Sequence, residues 1–214
     1  MRLSNLVRKL FVLLIAYPVS LFWLGLLVRN HEQLPGDGPA IIVANHNSHL
    51  DILALYALFP LRVIPLVRPA AAADYFLKNR TLARFARKVV GIVPVTRGVR
   101  AGDDPLEGCL TALEHGAILV LFPEGTRGEP ENLARLKSGI WHLLRQFPNV
   151  RVTPIFMRGL GRSMPKGALV PLPFFVDVFI DESLDFDDDR RRFMQRLTER
   201  FHQLRDSSVS GADF

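Results

Sequence analysis

The residues best suited to chemistry fall in two short stretches. The first, "VANHNSHLDI" at 43–52, places His46, His49 and Asp51 directly after an apolar run. An imidazole, with an unperturbed pKa of about 6.5, can take up a proton at neutral pH, and a nearby carboxylate can fix its tautomer and steady the imidazolium. His46 and Asp51, five residues apart across a strand-to-helix corner, suit that task. Two other readings stand beside it. His46 and His49 form an i, i+3 pair that zinc could use, though no convincing further ligand accompanies them. The polar residues Asn45, His46, Asn47 and Ser48 also suit the capping of a helix that starts near His49, with Asn47 or Ser48 the best placed.

The second stretch, "VLFPEGTRGE" at 120–129, runs an apolar strand into a proline, a carboxylate, a glycine, a hydroxyl and an arginine. Gly125 permits close approach of backbone to a ligand, and Arg127 can fork onto phosphate oxygens. The plain alternative is a turn in which Glu124 pairs with Arg127.

The surrounding pattern explains how such residues are held. Past the turn "LPGDGP" at 34–39, short apolar runs alternate with longer amphipathic ones. Strands are expected at 40–44, 62–67, 92–96, 117–122, 152–157 and 174–180, and helices near 48–59, 73–89, 104–115, 133–147 and 187–205. The acidic "DFDDDR" before the last helix suits a helix amino terminus. This alternation predicts an α/β fold with a mixed, largely parallel sheet covered by helices. His46 and Glu124 then lie just beyond strand ends, where such sheets gather ligand groups.

Residues 10–28 are 19 residues without a charge, flanked by Arg2, Arg8 and Lys9 on one side and Arg29 on the other. As one helix the run would measure about 28 Å, close to the thickness of a hydrocarbon core. A single crossing with the following domain in the cytoplasm would send the amino-terminal charges outward, against the positive-inside bias. Pro18, near the middle, therefore favours a membrane-dipping helical hairpin over a spanning or a buried core helix. The chain divides accordingly into a membrane-associated segment at 1–30 and a domain at 31–214 that carries both polar stretches, the candidate catalytic domain.

The net charge of +6 suits an anionic partner, a membrane surface included. The basic "RRR" at 190–192 reads as a solvated helix face. No phosphate-binding glycine loop and no nucleic-acid module is present, so nucleotide-driven chemistry and nucleic-acid binding find no support. Cys109 is the only cysteine, which excludes an intrachain disulfide and a cysteine-based zinc cluster. It sits within a helical pattern rather than at a strand end.

The two polar stretches, "NHNSHLD" at 45–51 and "FPEGTR" at 122–127, resemble the first and third signature blocks of the glycerolipid acyltransferases, the bacterial 1-acylglycerol-3-phosphate acyltransferases above all. His46 and Asp51 satisfy the first block's H-x4-D, and His49 has no place in it. "GIVPVTR" at 91–97 resembles the second block in Gly91, Val95 and Arg97 but departs from it at Pro94 and Thr96. "RVTPIF" at 151–156 is similar to the fourth block through Pro154, and "LKSG" at 136–139 resembles a Lys-x-Gly found before it. Alanines in "PAAAADYF" at 69–76 stand where many relatives carry a lysine, so either Arg68 supplies that charge or the phosphate is held differently. Gly128 stands where serine is common.

The resemblance covers roughly residues 35–160 and implies transfer of a fatty acyl group from a coenzyme A or acyl carrier protein thioester to the hydroxyl of a lysophospholipid, giving phosphatidic acid. It implies His46 as general base, Asp51 as its orienting carboxylate, and Arg97 and Arg127 with Gly125 and Thr126 as the acceptor-phosphate site. Glu124 would position a glycerol hydroxyl or Arg127. No metal and no cofactor beyond the thioester co-substrate is implied. The partners are a membrane lipid acceptor, the thioester donor and an anionic membrane surface, with the domain on the cytoplasmic face of a bacterial inner membrane. Another lysolipid acceptor, such as an aminolipid, and a non-catalytic lipid-binding role are the competing expectations.

Overall fold

A computed structural model of the chain describes residues 2–76, 79–96, 104–128, 132–164 and 172–210. Its centre is a sheet of seven strands, β1 (Leu26–Arg29), β2 (Ala40–Ala44), β3 (Val67–Ala72), β4 (Val93–Val95), β5 (Ile118–Leu121), β6 (Val152–Arg158) and β7 (Val176–Ile180), in the order β1-β7-β6-β2-β5-β3-β4. Every neighbouring pair is parallel except β6 with β7. The mixed, largely parallel sheet is the expected one. All five residues of β2, "AIIVA", are buried, as befits a strand covered on both faces.

The strand residues divide between two apolar layers. Ala40, Ile42 and Ala44 of β2, with Ile118 and Val120 of β5, face the amino-terminal helix and α2 (Asp51–Ala57). Ile41, Val43 and Leu119 face the opposite layer. The short α3 (Ala73–Phe76) and α4 (Arg80–Phe85) follow β3 and precede β4, and α4 opens on an Asn79 side chain that accepts the N–H groups of Thr81 and Leu82. The opposite layer contains α5 (Glu107–Glu114) and α6 (Gly139–Gln146). The single turn α7 (Leu160–Ser163) follows β6, and α8 (Arg190–Ser210) completes that layer through Phe193, Leu197 and Phe201. Asp189 accepts the N–H groups of Arg191 and Arg192, as expected of the acidic run before α8. Arg190, Arg191 and Arg192 are exposed, and Arg192 forks onto Asp187. The Asp187 carboxyl falls to about 2, chiefly through that hydrogen bond.

Three local expectations are corrected. Of the strand expected at 62–67 only Val67 is strand; residues 62–66 form turns, with Val63 N–H on Pro60 O and Leu66 N–H on Val63 O. Val63 and Ile64 are apolar because they pack under the sheet, which a run of hydrophobic residues cannot distinguish from strand pairing. The helix expected from 133 starts at Gly139, because the backbone of Ala134 and Lys137 is drawn into hydrogen bonds with the loop after β5. The apolar run at 10–28 ends in β1, paired with β7, rather than as helix throughout.

The amino-terminal segment also differs from a hairpin. Residues 2–23 are one continuous helix: α1 (Arg2–Phe11), then π turns over Val12–Ala16 and Val19–Trp23. Pro18 sits inside it at φ −59°, ψ −44°. The wide turns bond around the proline, Tyr17 N–H reaching Val12 O and Leu24 N–H reaching Val19 O, so the missing donor breaks nothing. Arg8, Val12, Ala16, Ser20 and Leu24 are all buried, at a strict spacing of four. Such a row would drift around an ordinary α-helix, and the π turns keep it facing the domain.

Candidate active site

β2 and β5 are neighbours, and the two polar stretches leave their carboxyl-terminal ends side by side. Asn45 makes this possible. Its side chain pairs with the Met157 backbone in both senses, Nδ2 donating to Met157 O at 2.8 Å and Met157 N–H donating to Oδ1 at 2.7 Å. A side-chain amide thus stands in for the next ladder rung to β6 and frees the main chain to turn away from the sheet.

His46 follows, and its backbone is held at both ends by the loop after β5. Its N–H donates to Glu124 Oε1 at 2.8 Å, and its carbonyl accepts the Gly128 N–H at 2.9 Å. The imidazole stacks on the Phe122 ring, centroids 4.3 Å apart. Its Nδ1 lies 2.7 Å from Asp51 Oδ2. The same oxygen accepts the N–H groups of Asn47 at 2.8 Å and Ser48 at 3.0 Å. Asp51 is 0% exposed, whereas the His46 side chain is 23% exposed. A buried acceptor therefore fixes an accessible ring: with Nδ1–H donating to Asp51, Nε2 is the basic nitrogen, and it has no partner among the described residues.

The carboxylate also settles how the corner is built. Asp51 is the first residue of α2, and it reaches back to tie down the two preceding N–H groups. The expected capping by Asn47 is not found: both polar atoms of its buried side chain lack a partner. Ser48 Oγ accepts the Leu50 N–H at 3.3 Å just before the helix.

Glu124 is 4% exposed and does not pair with Arg127. Its oxygens accept the N–H groups of His46 and, at 3.1 Å, Ala134, so it braces two loops against each other. Burial raises its carboxyl above the ordinary range, opposed in part by those two donors. A group that binds its proton more tightly when folded lowers stability as pH rises from the usual glutamate range through the raised value. The unfolding free energy of the wild type is thus expected to fall relative to that of Glu124→Gln across this window. Denaturant unfolding at a series of pH values checks it, and a difference independent of pH would contradict it.

Gly125, at φ +73°, closes a turn in which its N–H donates to Phe122 O, and the Lys137 side chain occupies the place a Cβ would take. The glycine therefore contributes room rather than a free donor. Thr126 is exposed and Arg127 half-buried. Partial desolvation and then the Arg127 charge lower the pKa of His49, an exposed residue at the same edge with no hydrogen bond to the carboxylates. Arg97 lies outside the described residues. Arg68 stands near the start of β3, level with Leu119 and two residues short of the end of β5, where burial is the main cause that lowers its pKa and Tyr56 is a charge neighbour. Lys137 is the residue the site gains over the sequence reading. The Lys-x-Gly resemblance pointed to it, but only the fold lays it across Gly125. The described residues hold no cluster of His, Cys, Asp and Glu suited to a metal ion. Cys109 is buried in α5 with its thiol pushed up to about 12, first by desolvation and then by Asp104.

An accessible imidazole backed by a buried carboxylate at the end of parallel strands, with Arg127 and Lys137 at the same edge, is an arrangement chemically able to move a proton beside an anionic group. The Acyltransferase family model matches residues 25–158, and the chain belongs to that family. Among curated proteins it is 29% identical over 178 residues to a chloroplastic 1-acyl-sn-glycerol-3-phosphate acyltransferase of Arabidopsis thaliana, covering 78% of this chain and 44% of that one. It is 30% identical to the alpha form of 1-acyl-sn-glycerol-3-phosphate acyltransferase from Mus musculus, covering 70% and 50%. It is also 30% identical to an N-acylphosphatidylethanolamine synthase of Arabidopsis thaliana, covering 73% and 59%. The chain thus spans about half the length of these relatives. The crystal structure of the 1-acyl-sn-glycerophosphate acyltransferase PlsC from Thermotoga maritima shares the fold, with a TM-score of 0.71 over 97% of both chains at 20% identity.

Proposed function

We propose that this protein transfers a fatty acyl group from a thioester of coenzyme A or acyl carrier protein to the free hydroxyl of 1-acylglycerol-3-phosphate, forming phosphatidic acid. The observation that carries this reading is the His46 Nδ1–Asp51 Oδ2 contact of 2.7 Å, made by a carboxylate with no exposure to solvent. His46 Nε2 takes the proton as the acceptor hydroxyl attacks the thioester carbonyl. Asp51 stabilises the imidazolium, which returns the proton to the departing thiolate. The lipid hydroxyl is itself the nucleophile, so no reactive serine or cysteine is needed. Arg127 and Lys137 meet the acceptor phosphate, and Arg97 is assigned to it through the second signature block. Glu124 acts as a positioning residue through the backbone of His46.

The apolar helix Leu3–Trp23, long and apolar enough to cross a membrane, supports a membrane location. Lying in the plane of the cytoplasmic leaflet, in a bacterial inner membrane, it leaves all of its flanking charges on one side, as the positive-inside bias requires. A second acceptor class has support of its own. One relative is named an N-acylphosphatidylethanolamine synthase, and alanines line the end of β3 at 70–72. An acceptor and donor panel with the purified membrane-bound enzyme, reading thiol release and lipid product, separates the two. Preference for an acceptor without a free phosphate monoester would overturn the first reading.

Arg127→Ala is expected to raise KM for the phosphorylated acceptor about 10- to 100-fold with a smaller effect on kcat, because a charge-assisted contact to the ligand is lost. Steady-state kinetics with the donor saturating tests this. An unchanged KM would remove Arg127 from the acceptor site.

A further inference from the structure

The helix Leu3–Trp23 does not present its apolar surface alone. Leu172, Phe174 and Phe175, in the irregular segment before β7, are exposed, Phe175 at 77%. Their place follows from the sheet. β7 and β1 run opposite to β6, and the register pairs Asp177 with Arg158 at the end of β6. The starts of β7 and β1 therefore lie at the edge where β2 and β5 end, the edge that carries His46 and Glu124. Two glycines build the junction. The Phe175 ring lies over Gly25, where a Cβ would come within 2.7 Å of Cδ1, and Phe175 O lies over Gly159, 2.5 Å from a Cβ there. Gly25 lies two residues beyond the end of the helix, where Phe22 is 88% exposed and Trp23 is also open. The segment is tied back towards the catalytic loop as well. Ser163 Oγ donates to Leu172 O, Leu172 N–H donates to Ser163 O, and Ser48 Oγ donates to Met164 O.

We propose that Leu172, Phe174 and Phe175 join Phe22, Trp23 and Leu27 in a composite wedge that inserts into a phospholipid bilayer beside the catalytic edge. A bilayer is the occupant the observations favour. The patch continues the exposed face of the one helix in the described residues apolar enough to cross a membrane, and the net charge of +6 suits an anionic leaflet. The Trp23 indole suits the headgroup level, while the Phe and Leu side chains suit the headgroup–acyl boundary just beneath it. With the wedge inserted, the site opens at the membrane surface, and an acceptor lipid reaches His46 without leaving its leaflet.

The inference rests on the membrane siting proposed above, and its test involves no acyl transfer, so failure of the reaction and failure of the wedge are separately visible. The full-length protein is mixed with vesicles of phosphatidylcholine and phosphatidylglycerol that carry bromine on their acyl chains. Trp23 and Trp141 are the only tryptophans, and Trp141 belongs to α6 on the opposite layer. Emission is expected to be quenched in the wild type and unquenched in Trp23→Phe. Adding Phe174→Trp to Trp23→Phe is expected to restore quenching, and this variant leaves the Phe175–Gly25 contact intact. Phe174→Ser with Phe175→Ser is expected to weaken vesicle partition about tenfold or more. An unquenched tryptophan at 174 together with unchanged partition of the double variant would overturn the wedge. So would self-association without vesicles that Phe175→Ser abolishes, since a second copy would then be what covers the patch.

Discussion

His46→Ala is expected to lower kcat for acyl transfer about a thousandfold while KM for either substrate changes little. The imidazole touches the reaction only while a proton is moving, so its loss falls on the transition state. Its structural cost is limited. Asp51 Oδ2 keeps the Asn47 and Ser48 donors, and the backbone N–H and carbonyl of residue 46 keep Glu124 and Gly128. The lost hydrogen bond and ring stack amount to about 2 to 4 kcal/mol, less than the stability of an ordinary domain, and the variant is expected to fold and to bind vesicles as the wild type does. Stopped thiol release, read beside a normal unfolding transition, checks both halves. Near-normal turnover in a folded His46→Ala protein would remove the proposed base.

Asp51 separates into two roles that two variants distinguish. Asp51→Asn keeps the shape and an oxygen that can accept Nδ1–H with the Asn47 and Ser48 N–H groups, but it removes the negative charge that steadies the imidazolium as Nε2 takes up a proton. The expected loss in kcat is about 100- to 10,000-fold with modest destabilisation. Asp51→Ala removes the acceptor for two backbone N–H groups at a corner where Asn47 and Ser48 are themselves buried. Stranding them costs about 1 to 3 kcal/mol each, so this variant is expected to lose stability as well as activity. Unfolding midpoints for the pair read this directly. A wild-type rate in Asp51→Asn would sink the charge-stabilising role, and wild-type stability in Asp51→Ala would sink the bracing role.

Sequence and structure meet most closely at His46 and Asp51, whose residue types, order and spacing across a strand-to-helix corner leave few geometries to choose from. The strand "AIIVA" was equally legible, because burial on both faces leaves an unbroken apolar run. Glu124 was less so. Its type and its place after β5 could be read, but whether it would face Arg127 or the His46 N–H depends on which strand lies beside β5. Strand order is not written in either segment.

The amino-terminal run shows the same division more sharply. Composition identified an apolar segment with a proline at its centre, and local rules led to a break there. The break does not occur because π turns carry the hydrogen bonds past Pro18 and a buried stripe from Arg8 to Leu24 packs against the domain. Leu26–Arg29 leaves the helix for an edge strand because β7, some 150 residues later, offers a partner. By itself the sequence determined the groups proposed to react, the alternation of strands and helices, and the presence of a large apolar surface. The tertiary structure alone decided that β2 lies against β5, that Asp51 caps the His46 loop, that Lys137 crosses Gly125, and that Phe175 meets Gly25 at the catalytic edge. Each of these depends on contacts between residues distant in the chain, fixed by how both faces of one sheet are covered.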